Sequence, residues 1–196
     1  MKYFYIIFVF LSQGAMAQLT QTGFNGIELE SSYENIKKRI EEVESVPQYA
    51  WFAPMSIEDF ITDTGEDSSA YFQMLETDRL IAESLNTKII WCTFKKKKDA
   101  NFFKYPIECA QLVFKEDTLI GISLVFDKDD MSDTAKDEII AQFESVLGDG
   151  LLHHNNGGPI PRFERLWKQG RMEVSLSDTT YDDHEGESLN VLFGRN

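Results

Sequence analysis

Residues 107–126 read IECAQLVFKEDTLIGISLVF, two β-rich runs on either side of a short polar joint. Turn chemistry falls at Glu116 and Asp117, and a two-residue hairpin there sets Val113 opposite Ile120, Gln111 opposite Ile122, Cys109 opposite Leu124 and Ile107 opposite Phe126. That face is almost wholly apolar. The other face carries Glu108, Ala110, Leu112, Phe114, Leu119, Gly121, Ser123 and Val125, which is too apolar for open water, so the pair is expected inside a sheet and not at its edge. Just downstream, Ser132, Asp133 and Thr134 offer capping oxygens, and Ala135, Ile139, Phe143, Val146 and Leu147 fall along one stripe at helical spacing. Gly148 supplies the stop. Antiparallel strands followed by an amphipathic helix define an α+β class: an antiparallel sheet with amphipathic helices packed on one face.

Working toward the start, residues 1–17 (MKYFYIIFVFLSQGAMA) have a positive head at Lys2, a short apolar run, and small residues Ala15 and Ala17 before an expected cleavage at Gln18. The pattern is that of a secretory signal peptide, and its apolar run is too short for the roughly 20 residues that span a bilayer. A periplasmic or secreted protein with no integral membrane segment after cleavage is expected. The formal net charge is −14, more negative still once Lys2 is removed. Such a field repels nucleic acid and anionic membrane, and makes another protein the expected partner, a cationic one by preference.

Between the leader and the hairpin, residues 31–34 (SSYE) match a capping box ahead of a helix bearing Tyr33, Ile36, Ile40 and Val43 on one side. Pro47 ends it, and QYAWFAP (48–54) follows. Tyr49, Trp51 and Phe52 would make a binding hot spot if displayed, although aromatics between helices in a small domain more often close the core. Residues 56–63 read as a helical turn, 65–69 (GEDSS) as a polar break, and 70–85 as a helix. Residues 87–95 are a strand by their β-branched and aromatic content. Lys95 to Lys98 form the one basic run, and read best as a solvated hairpin loop that protects a strand end. A hairpin centred near Ala100 and Asn101 would bring Cys92 opposite Cys109, so a cross-strand disulfide competes with two small buried hydrophobes.

Beyond the organising hairpin, residues 127–133 (DKDDMSD) place acidic groups at calcium-loop spacing, but Ser132 stands where glycine is required and a strand enters the loop. A helix cap explains them more simply. His153 and His154 lie in an expected surface loop, 149–161, and His184 sits in a second acidic segment; neither has recognised metal-ligand spacing. Residues 163–168 and 171–177 flank a Gln169-Gly170 turn that sets Trp167 opposite Met172, Arg165 opposite Val174 and Phe163 opposite Leu176. Leu189, Val191 and Phe193 alternate in a final strand.

The order helix, then antiparallel strands, recurs: a GIxL segment at Gly26 and again at Gly121, a helix, then three strands, giving tandem halves at 18–131 (with a helical insertion) and 132–196. Twice repeated in an exported chain, this order resembles the β-lactamase inhibitory proteins and the small outer-membrane assembly lipoproteins. The chain departs from the lipoproteins in lacking an N-terminal cysteine to acylate, and from the inhibitors in lacking a cysteine pair in each repeat. No nucleophile–base or metal-ligand motif is evident, so the expectation is a non-enzymatic protein-binding module without cofactor or metal, of inhibitor or immunity type. The alternatives are an envelope assembly component and, further off, a metal-dependent hydrolase using the histidines.

Overall fold

In a computed structural model, which describes residues 20, 22–51, 54–96, 99–102, 104–126, 133–155, 162–169, 172–179 and 188–195, the organising hairpin forms from β6 (Tyr105–Lys115) and β7 (Thr118–Phe126). They turn at Glu116 and Asp117, whose φ values of 49° and 64° give the tight turn its right-handed match to strand twist. Ahead of it in the chain come β1 (Gly23–Phe24), β2 (Ile27–Glu28), α1 (Tyr33–Ile36), β3 (Ile40–Glu42), α2 (Ile57–Thr64), α3 (Ser68–Leu85), β4 (Thr87–Phe94) and β5 (Asn101–Phe102). After it come α4 (Asp133–Leu147), β8 (Leu151–Asn155), β9 (Arg162–Gln169), β10 (Met172–Thr179) and β11 (Ser188–Arg195). Among the described residues no helix is long and apolar enough to cross a membrane.

The main sheet runs β3-β4-β6-β7-β11-β10-β9-β8, with β5 attached to β6, and every pairing is antiparallel. The fold is α+β, and β6 and β7 are interior strands as their two apolar faces require. The first half contributes α1, α2, α3 and the strand path β3-β4-β6-β7, the second α4 and the meander β8-β9-β10-β11, four sheet strands each where the sequence suggests three. The two meanders meet through their final strands, β7 on β11, with Ser123 opposite Leu192 at the middle of the seam. The sheet order therefore reads the same from either edge, an approximate two-fold arrangement.

The register of the hairpin carries a correction. Lys115 pairs with Thr118 and Phe114 with Leu119, as a two-residue turn demands, but Val113 then faces Gly121 and Cys109 faces Val125, before Ile107 returns to Phe126. Two bulges, one at Ile120 on β7 and one at Glu108 on β6, shift the middle of the ladder by one residue. A one-residue shift exchanges faces. Ala110, Leu112 and Phe114 therefore share a face with Ile122, Leu124 and Phe126, while Cys109 and Val113 look the other way with Ile120 and Val125.

The first of those faces holds the larger core. Beneath α1 and α4 it collects Ile90, Cys92 and Phe94 from β4, the β6–β7 residues just named, Phe24 and Ile27 from the β1–β2 hairpin, and Ala135, Ile139 and Phe143 from α4. Phe143 is stacked between Phe102 and Trp167 at centroid distances of 5.2 and 5.4 Å. One aromatic column thus ties α4 to both halves. The second face carries a smaller cluster of Ile89, Trp91, Cys109 and Val113, with Val43 and Val46 packed on it.

Other expectations shift in instructive ways. The helix expected over 33–43 stops after one turn: Ser32, with no side-chain cap, precedes it, Arg39 closes a tight turn on Ile36, and Ile40–Glu42 pair with Phe94–Cys92 instead. Ile36 and Ile40 are buried all the same, with Tyr33 and Val43 half-buried. The turn over 56–63 is a full helix, α2, opened by a Ser56–Asp59 capping box and closed by Gly65 in the left-handed region. Residues 70–85 are helical, as expected. The 163–177 hairpin pairs Trp167 with Val174 and Gln169 with Met172, two residues from the expected register. His153 and His154 belong to strand β8, not to a loop. The signal peptide, the acidic 127–132 turn, Phe52, Lys97, Lys98 and His184 lie outside the described residues.

Candidate functional site

The segment after Pro47 lies against the smaller-core face, and its backbone is pinned at four points. Ile89 donates its N–H to the carbonyl of Gln48 at 2.9 Å. The indole N–H of Trp91 donates to Ala50 O at 2.9 Å, the Gln111 amide donates to Trp51 O at 2.8 Å, and the N–H of Trp51 donates to Asp78 Oδ2 at 2.8 Å. Gln111 and Asp78 are the two buried polar side chains of the described core, and each is spent on the main chain of one residue. Ala50 is completely buried, whereas the Trp51 side chain next to it remains 37% exposed.

Of the three aromatics read as a binding cluster, the structure places Tyr49 half-buried and Trp51 at the surface. A backbone fixed by buried hydrogen bonds beneath an exposed indole is a rigid display, and such display reduces the ordering cost of association. Asp78 couples it to α3, because Asp78 shares the inward stripe of that helix with Tyr71 and Ala82.

Gln111 and Asp78, which hold the Trp51 main chain, are positions that sequence reading passed over. Each had a signal: Gln111 interrupts an apolar strand, and Asp78 falls on the apolar stripe of a helix. Buried polar groups are hydrogen-bonded, so both positions imply an unseen partner.

A separate cavity of about 270 Å³ opens where α3 meets β4 and the β6–β7 turn, lined by Tyr33, Asn86, Lys88, Phe114 and Asp117 among others. Tyr33 donates its hydroxyl to Glu42, and that bond, with burial and the nearby charges of Glu42 and Glu34, pushes its pKa up to about 12. Lys88 Nζ sits 4.4 Å from the centre of the Tyr33 ring, so the cation is already engaged by the aromatic face.

The disulfide considered between Cys92 and Cys109 does not form; both are buried free thiols. Cys92 faces Ala110, not Cys109, and the two side chains enter opposite faces of the sheet. Burial pushes the Cys109 thiol up to about 12 and that of Cys92 further, which keeps both protonated and unreactive. Among the described residues no group of three or more His, Cys, Asp and Glu side chains is placed to hold a metal ion.

No family model, curated protein or solved structure matches the chain.

Proposed function

We propose that the chain is an exported, acidic protein-binding module of inhibitor or immunity type, acting in the periplasm or outside the cell, with Trp51 as the anchor of its binding surface and Tyr49 beside it. The observation that carries this is the mounting of Trp51: its amide and carbonyl are held by buried Asp78 and Gln111, yet its ring is left accessible. Tryptophan dominates interface energetics when it is presented rigidly to a partner's pocket. The acidic composition favours a basic partner surface and speeds the encounter.

The experiment is affinity capture from envelope extract using residues 18–196, with increasing bait and with Trp51→Ala as the paired control. A saturable protein partner, lost with Trp51→Ala, is the expected result. Recovery of no saturable partner overturns the proposal.

A further inference from the structure

Resting on the protein-binding reading above, we infer that α2 and α3 together with Trp51 form a docking surface for a cationic amphipathic segment of the partner protein. The first ground is apolar surface that the fold leaves outside. α3 buries Tyr71, Asp78 and Ala82, but on the adjoining stripe Ile81 and Leu85, one turn apart, are 41% and 49% exposed, and Phe72 and Leu80 reach 57% and 53%. Covering such side chains is favourable, so a helix that leaves four of them about half exposed holds apolar area in reserve for an occupant. Trp51 belongs to the same rigid piece because α3 itself, through Asp78, holds its N–H.

The second ground is charge. Residues 56–86 carry eight carboxylates and a single basic residue, Arg79. That one cation is consumed internally, paired with Glu76 at 2.6 Å and with Glu83 at 2.5 Å. Asp59 and Asp67 are occupied as helix caps, and hydrogen bonds from Ser56 and Ser69 keep their carboxyls below the usual carboxylate range. Glu58, Asp63 and Glu66 are exposed and make no ion pair among the described residues. A helix pair that carries part-exposed apolar side chains and unpaired carboxylates rewards a segment that brings both apolar side chains and Lys or Arg, and it rejects an acidic one by repulsion. Neither a purely basic chain nor a neutral apolar helix satisfies both demands.

The test titrates residues 18–196 with three labelled peptides of equal length: an amphipathic Leu/Lys helix, its Leu/Glu counterpart, and a Lys-rich peptide without Leu. Binding is read by fluorescence anisotropy at low and high salt. The Leu/Lys peptide is expected to bind, to weaken as salt screens the carboxylates, and to lose about tenfold or more in affinity to the Ile81→Ser/Leu85→Ser variant and to Trp51→Ala. The substituted side chains are exposed, and circular dichroism checks that the variants stay folded. Equal binding of the Leu-free peptide, or equal binding to the Ile81→Ser/Leu85→Ser variant, overturns the inference. Capture from envelope extract that survives Ile81→Ser/Leu85→Ser and fails with Trp51→Ala sinks this docking surface while leaving the binding function standing; absence of both peptide and extract binding sinks both.

Discussion

Gln111 shows how one side chain sets a local structure. It is 7% exposed in a strand whose neighbours are apolar, and its amide goes to Trp51 O. Gln111→Leu keeps the volume and leaves that carbonyl without a donor, at a cost of about 1–3 kcal/mol; urea unfolding should show a lower midpoint at unchanged slope, and Trp51 should become more mobile. Tyr33 gives a second prediction. Its folded pKa of about 12 lies above the unfolded value of 10.0, so the stabilisation is complete below pH 10 and is lost as the pH rises through 12. Stability of the native chain should therefore fall more steeply over that window than stability of Tyr33→Phe. These residues also mark the limit of what was legible in the sequence. Trp51 was visible as a candidate, but the buried polar groups that position it lie 27 and 60 positions away along the chain, one on α3 and one on β6, and only tertiary packing brings them together.

Elements were easiest to read where one period ran without interruption. α4 follows its stripe, with Ala135, Ile139 and Phe143 buried. Phe143→Ala removes the middle of the Phe102–Phe143–Trp167 column and should cost about 3–5 kcal/mol, measurable by chemical denaturation. The β6–β7 pair was legible as an interior hairpin but not in its faces, because both sides are apolar and no polar alternation marks the bulges; the spacing of three between Leu119 and Ile122, and between Ile107 and Ala110, was the trace they left. The helix expected through Val43 failed for a different reason. Ile36, Ile40 and Val43 suit a helix stripe, yet Ile40–Glu42 gain a sheet partner in β4 that propensity alone does not foresee. The turn itself is open to improvement. Glu116 and Asp117 both sit at positive φ, a region costly to ordinary side chains, so Glu116→Asn with Asp117→Gly should stabilise the protein by about 1 kcal/mol, raising Tm by about 2–4 °C in a thermal melt.

At the scale of the molecule, two meanders share one sheet, and the helix-then-strands repetition was readable in outline because it is written in element order. What the order did not disclose is that the halves join through the strands that end each meander. β7 finishes at Phe126 and β11 starts at Ser188, so the interior of the sheet waits for a strand made much later. Five residue pairs, from Gly121 with Gly194 to Val125 with Asn190, clasp the halves together. A chain emerging from a ribosome in sequence order holds β7, apolar on both faces, with one open edge until that clasp arrives. Removing residues 188–196 should turn a cooperative folder into one that aggregates, visible as light scattering at concentrations where the full chain stays clear. The seam is thus a timing device: folding is complete only when synthesis of the whole sheet is, and a holding chaperone would have its task defined by the unclasped edge of one strand.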